Sequence, residues 1–129
     1  MAEPFDGKSI LIVDDDNDIL TAMEMAFKET GATITTATDG HTASVFAQEQ
    51  SPDLLILDAM LPQRSGFLVL EKLKAKKPRG SKPYVIMITA NTGKRHQAWA
   101  ESLGADGYIN KPFRMERLLQ SAQALLAKG

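Results

Sequence analysis

Carboxylates, a hydroxyl and an amine stand at the ends of apolar runs in this sequence. Ile10-Leu11-Ile12-Val13 ends in Asp14-Asp15-Asp16, and Leu54-Leu55-Ile56-Leu57 ends in Asp58. Tyr84-Val85-Ile86-Met87-Ile88 ends in Thr89-Ala90, and Tyr108-Ile109-Asn110 ends in Lys111-Pro112. Short apolar runs bounded by turn residues read as strands buried on both faces. In an open parallel sheet their ends lie together, at the edge where ligands bind. Asp14, Asp15 and Asp58 then form a carboxylate cluster. Close like charges repel, so a cluster persists only with a cation in it or with some carboxyls protonated. Hard oxygen ligands suit Mg2+, which usually takes one or two carboxylates and keeps waters for a phosphate. A carboxylate nucleophile, a metal pocket, a hydroxyl and an ammonium are the parts of phosphoryl transfer, whose transition state spreads negative charge over three oxygens. A carboxylate can itself accept the phosphoryl group as an acyl phosphate.

Taken singly, each group has a plainer reading. Thr89 is an ordinary strand-end hydroxyl and Lys111 a surface lysine before a proline. Asp16 and Asp18 read better as acids at a helix N-terminus, where the dipole favours them. Asp14 and Asp58 resist that reading, because each directly ends a fully apolar strand. The combination, in order along one chain, carries the phosphoryl chemistry.

The elements that must position these groups follow from the pattern. Residues 1–7 read as a loose lead-in broken by Pro4 and Gly7. Lys8 to Val13 is the first strand. A helix capped by Asp16-Asn17-Asp18 follows, with Ile19, Leu20, Met23, Ala26 and Phe27 at helical spacing, and stops by Gly31. Thr33 to Ala37 is a β-branched strand, less apolar than the others and so a candidate edge. A helix over about 41–50 places Ala43, Phe46 and Ala47 inward. The Asp58 strand is third. A helix over about 66–74 carries Phe67, Leu68, Leu70 and Leu73, and a loop over 75–83 holds Pro78, Gly80 and Pro83. After the fourth strand, a helix runs from about Lys94 to Leu103. The fifth strand is followed by an amphipathic helix from Met115 to Ala127. Strands alternating with helices imply parallel strands, right-handed crossovers and helices on both faces.

Composition excludes several classes. With 129 residues, 43% apolar and 24% charged, the chain has the make-up of a single globular domain. A net charge of −1 is not that of an electrostatic nucleic-acid binder. Cysteine is absent, so disulfides and thiolate metal sites are excluded. No apolar run approaches the roughly 20 residues of a membrane span. The first residues lack the basic and apolar regions of a signal peptide, so the default expectation is a cytoplasmic protein.

These stretches together resemble a bacterial two-component response-regulator receiver domain. The resemblance rests on residues 10–16, 53–62, 87–90 and Gly104 to Phe113, in order and correctly spaced, and runs from about residue 8 to the C-terminus. It implies a doubly wound, flavodoxin-like five-stranded sheet of order 2-1-3-4-5. It implies that Asp58 accepts a phosphoryl group from a phosphohistidine on a sensor histidine kinase or histidine phosphotransfer protein. Asp14 and Asp15 would hold Mg2+, joined by Asp58 and the backbone carbonyl of Met60. Thr89 and Lys111 would contact the phosphoryl oxygens, Tyr108 would be an aromatic switch, and Lys111-Pro112 would be a cis bond. The output would be a downstream target, or a self-dimer, bound through the fourth helix, fifth strand and fifth helix. Nothing in this picture turns over an external substrate.

The chain departs from the family in places. The loop after Asp58 reads Leu61-Pro62-Gln63-Arg64-Ser65-Gly66, where the family more often has Met-Pro and an Asp before the Gly. Residues 72–82 are unusually basic, as solvated helix-end charges or as a patch for an acidic partner. Trp99 reads as exposed, because Ala100 and Leu103 already supply an inner stripe. Rival functions fit less well. A haloacid-dehalogenase-type phosphohydrolase usually has a second Asp where this chain has Met60, and needs a cap. A nucleotide or flavin module of similar fold needs a Gly-rich phosphate loop after the first strand, where this chain is acidic. A degenerate receiver, binding without phosphorylation, would not keep Asp58, Thr89 and Lys111. The chain ends with its last helix, which fits a stand-alone regulator or a receiver excised from a longer protein.

Overall fold

The apolar runs are strands of one sheet. A computed structural model describes residues 4–75, 82–90 and 93–127. The strands are β1 (Ser9–Val13), β2 (Thr33–Ala37), β3 (Leu54–Asp58), β4 (Tyr84–Thr89) and β5 (Gly107–Asn110). The helices are α1 (Asn17–Lys28), α2 (Gly40–Gln50), α3 (Gly66–Lys74), α4 (Lys94–Ser102) and α5 (Met115–Leu126). All pairings are parallel, and the order is β2-β1-β3-β4-β5, as expected. β2 lies at an edge, and most of it is only partly buried, which matches its Thr-rich sequence.

Two cores lie on the two faces of the sheet. Ile10, Ile12, Leu54, Ile56, Ile86 and Ile88 face α1 and α5, meeting Leu20, Met23, Phe27, Leu118 and Ala122. The alternate residues Leu11, Val13, Leu55, Leu57, Val85 and Met87 meet Ala43, Ala47, Phe67, Leu70 and Ala100. Successive strand residues point to opposite faces, so unbroken apolar runs are what a sheet covered on both sides requires. Each fully buried Leu or Ile contributes about 1.5–3 kcal/mol over an exposed one.

The lead-in expectation fails at Phe5. That ring is buried, lies 6.1 Å from the Phe27 ring, and its N–H donates to Thr30 O at 2.9 Å. Leu68, expected on the apolar side of α3, is exposed, and Val69 takes the buried place. Trp99 is 49% exposed, yet its ring stacks on Phe67 with centroids 4.3 Å apart and planes at 10°. Lys74 is buried in an ion pair with Asp106 at 3.1 Å, so it is not part of a solvated basic face. Residues 76–81, the middle of the basic stretch, lie outside the described residues. The Lys111–Pro112 bond is cis, as is Lys82–Pro83.

Candidate functional site

The carboxyl ends of β1 and β3 are neighbours because Val13 pairs with Leu57. Asp14 and Asp58 therefore leave the sheet side by side. Asp14 N–H donates to Ala37 O, and Ala59 N–H donates to Ile88 O at 2.9 Å, so both strand ends are pinned to their neighbours. Gly66 opens α3 against the same strand end. A Cβ there would stand 2.2 Å from the Asp58 carbonyl oxygen, so only glycine lets α3 start this close.

Asp14 is fully buried and Asp58 is 4% exposed, while Asp15 faces solvent. Carboxylate oxygens of the three lie within 4.8 Å of one another, an arrangement that could hold a metal ion. Asp14 Oδ1 accepts the Asp16 N–H at 2.9 Å. Asp14 Oδ2 is 2.9 Å from Lys111 Nζ, an ion pair by distance. That ammonium is its ion-pair partner, and no hydrogen bond to this buried oxygen is found among the described residues. Asp58 Oδ1 accepts the Met60 N–H at 3.1 Å, and Asp58 Oδ2 accepts from Lys111 Nζ at 3.1 Å.

Burial pushes the Asp58 carboxyl up to about 6, and the nearby Asp14 charge adds to the rise. The Met60 N–H and Lys111 oppose it without cancelling it. Burial alone would lower the Lys111 ammonium, but contact with Asp14 and Asp58 outweighs it and holds that group above its ordinary value. Lys111 therefore offsets the burial of Asp58 and the Asp14 charge only in part. Three converging carboxylates, two of them buried, fit a hard divalent cation.

Thr89 is buried at the end of β4, one residue past Ile88, the strand partner of Asp58. Thr89 O accepts the Lys111 N–H at 2.8 Å, which ties the hydroxyl-bearing strand end to the lysine. Tyr108 pairs with Met87 in the sheet and packs against the core with Leu103 and Ala105. Its hydroxyl is buried without a hydrogen-bond partner among the described residues, and burial raises its pKa. Met60 is exposed, and its N–H donates to Asp58 Oδ1. Asp16 caps α1, accepting from Asp18 N–H at 3.0 Å and Ile19 N–H at 3.3 Å, and so stands apart from the cluster. Arg64 and Ser44 join the loop after Asp58 to α2 at 3.1 Å, a contact between separate elements that no local sequence pattern signals.

Known proteins resemble this chain in sequence and in fold. The chain is 37% identical over 120 residues to "Probable transcriptional regulatory protein TcrX" of Mycobacterium tuberculosis, covering 93% of this chain and 50% of that protein. It is 33% identical over 123 residues to the alkaline phosphatase synthesis transcriptional regulatory protein PhoP of Bacillus subtilis, covering 95% and 50%. The chain thus spans about half the length of these curated relatives. A response regulator receiver domain protein from Methanospirillum hungatei superposes with a TM-score of 0.86 at 29% identity, covering 94% of each chain. The response regulator receiver domain model matches residues 10–123, the span that holds every strand end described above apart from the start of β1, and the chain belongs to that family of phosphoacceptors in two-component signalling.

Proposed function

We propose that Asp58 is the phosphoacceptor and takes the group from a phosphohistidine donor, a sensor histidine kinase or histidine phosphotransfer protein. One observation carries the assignment: Asp58 ends the central strand, between the strand ends that carry Asp14 and Thr89, and accepts a hydrogen bond from Lys111. An Asp58 oxygen attacks phosphorus, the O–P bond forms, the donor's N–P bond breaks, and its electron pair leaves with the imidazole nitrogen. Asp14 and Asp15, with Asp58 and the Met60 carbonyl, would hold Mg2+. When bound, the ion supplies positive charge to phosphoryl oxygens. Lys111 neutralises a further oxygen and Thr89 donates its hydroxyl to another. The side chains assist the chain's own phosphorylation and its reversal, and act on no external substrate. After phosphorylation of Asp58, the face of α4, β5 and α5 binds a downstream target or a second copy. A cytoplasmic setting fits such a donor.

The assignment is tested by intact mass after treatment with acetyl phosphate and Mg2+. One adduct is expected, lost in Asp58→Asn and lost with excess chelator. An unchanged adduct in Asp58→Asn would place the acceptor elsewhere.

A further inference from the structure

The loop that follows the acceptor strand, residues 59–65, is strained, and it is held from outside. Gln63 has φ 70, in the left-handed region that residues with a side chain seldom adopt. Arg64 N–H donates to Pro62 O at 2.7 Å around it. A bond between residues i and i+2 about a positive φ is the rarer, strained hand of the γ-turn. Such conformations persist only where the surroundings over-determine them.

Here the surroundings are the first turns of α2. Gly40 N–H donates to Pro62 O at 3.0 Å. Arg64 Nη1 donates to Ser44 Oγ at 3.1 Å, and Ser44 Oγ donates in turn to Gly40 O at 3.0 Å. One hydroxyl can do both, because it has one donor and two acceptor sites. The backbones also meet directly: a Cβ on Gly40 would stand 1.8 Å from Arg64 O. At its other end the loop is fixed to the acceptor, through Met60 N–H on Asp58 Oδ1 at 3.1 Å and Gly66 N–H on Ala59 O at 3.0 Å. A contact with α2 therefore sets the path of the chain that touches Asp58.

We infer that Arg64 is a positioning residue for phosphoryl acceptance, acting through Ser44 and Gly40 to keep the γ-turn closed and Met60 aimed at Asp58. This rests on the reading of Asp58 as acceptor. A bare helix hydroxyl bonded to its i−4 carbonyl would be an ordinary feature of α2. The guanidinium reaching it from 20 residues away is what couples the helix to the loop. Losing that brace lets the strained turn relax and frees Met60.

The test uses the full chain with Arg64→Met, Ser44→Ala and their combination, and Arg64→Lys as the conservative variant. Asp58 labelling by acetyl phosphate is followed at saturating and at limiting donor and Mg2+. Arg64→Met should label about tenfold more slowly at saturation, the scale expected for a small misplacement. Arg64→Lys should recover part of the rate. The combined variant should be no slower than either single one, because both break one link. Hydrogen exchange at the Met60 amide should quicken in Arg64→Met while Asp53 to Leu57 keep their protection. Parent-like labelling and Met60 exchange in Arg64→Met overturn the brace alone, as do single effects that multiply in the combined variant. No adduct on Asp58 in the parent overturns the acceptor assignment and the brace with it.

Discussion

Lys111 Nζ lies 3.1 Å from Asp58 Oδ2, so the lysine proposed to steady a phosphoryl group already grips the carboxylate proposed to receive it. The same ammonium stands 2.9 Å from Asp14 Oδ2. It is a built-in counter-ion for a pair of buried acids. Two cations cannot share that space without repulsion. Lys111→Met should therefore bind Mg2+ about tenfold more tightly, roughly 1.4 kcal/mol, a modest Coulomb term for partly screened charges. Without metal it should lose about 1–3 kcal/mol, since the acids lose their partner. Urea unfolding in chelator and in Mg2+ measures both. Unaltered Mg2+ affinity would mean that lysine and metal do not compete.

Asp15 differs from its neighbours in being exposed. In the proposed ligand set, Asp15→Asn removes one anionic oxygen donor from a hard cation. It also relieves repulsion within a cluster whose oxygens lie within 4.8 Å. Mg2+ affinity should fall by about tenfold while metal-free stability rises by up to about 1 kcal/mol. Magnesium titration and thermal unfolding with chelator read the two effects. Parent-like affinity would remove Asp15 from the ligand set.

What the sequence disclosed, and what it withheld, has a physical division. Leu54 to Asp58 could be read directly, because a strand buried on both faces needs no partner to declare itself. Asp14 and Asp58 followed, since each ends such a strand. Phe5 could not be read, because one aromatic between Pro4 and Gly7 carries no periodicity. Its burial depends on Phe27, a tertiary neighbour. Lys74 sits four residues after Leu70 on the inner stripe of α3, which helical spacing could have shown. Its partner Asp106, from a distant turn, could not be anticipated. Arg64 is the same case: its loop was seen to be unusual, but Ser44 lies on another element.

Trp99 is half-exposed but not idle, since it stacks on Phe67 at 4.3 Å. α4 has only Ala100 among its buried residues and no side-chain cap at its start. The stack is therefore a large part of what fastens α4 to α3. Trp99→Ala should cost about 1–2 kcal/mol, from the aromatic pair and the area it covers. Phe67→Leu should shift Trp99 emission to the red. A loss under a few tenths of a kcal/mol would show that α4 is held by other contacts.

Asp53 marks the opposite end of β3 and offers a pH test away from the acid cluster. Its Oδ2 accepts the Ser9 N–H at 2.9 Å, and Lys82 Nζ lies 3.2 Å from Oδ1. Burial works against its charge, but these two partners outweigh it and hold the carboxyl below 3.8. A depressed folded pKa means stability that is present above the ordinary value and lost as pH falls through the folded one. Asp53→Asn should therefore cost up to about 1 kcal/mol at pH 7, with the Lys82 share discounted for screening. The difference should close as pH falls through the depressed folded value, where the carboxyl is protonated in the folded and the unfolded chain alike. A gap that persists in acid would assign the loss to packing rather than to charge.

The last prediction concerns how a phosphoryl group on Asp58 would reach the α4–β5–α5 face. It adds negative charge and strong acceptor oxygens at one point of the rim. Thr89 ends the neighbouring strand, and its backbone is tied to Lys111 at 2.8 Å. A Thr89 hydroxyl drawn to the phosphoryl group would leave space beside the start of the next loop. Tyr108 is placed to use it: its hydroxyl is buried without a hydrogen-bond partner among the described residues, a condition worth escaping. An unpaired buried hydroxyl costs about 1–3 kcal/mol. Reversing a 1:99 equilibrium needs about 5.5 kcal/mol of difference between states. A charge-assisted bond to Thr89, at about 1.5–3 kcal/mol, together with relief of the Tyr108 hydroxyl, supplies much of that, and a bound partner the remainder. Thr89→Ala should still accept phosphate at Asp58 yet leave Tyr108 and α4 unmoved. Tyr108→Phe should raise the stability of the unphosphorylated protein by about 1 kcal/mol, since it deletes the orphaned hydroxyl. Amide shifts before and after adding beryllofluoride with Mg2+ decide the matter. Parent changes should extend through residues 93–115, and Thr89→Ala should confine them to the neighbourhood of Asp58. If the parent's own changes stop at Asp58, Thr89 and Tyr108 do not carry the signal.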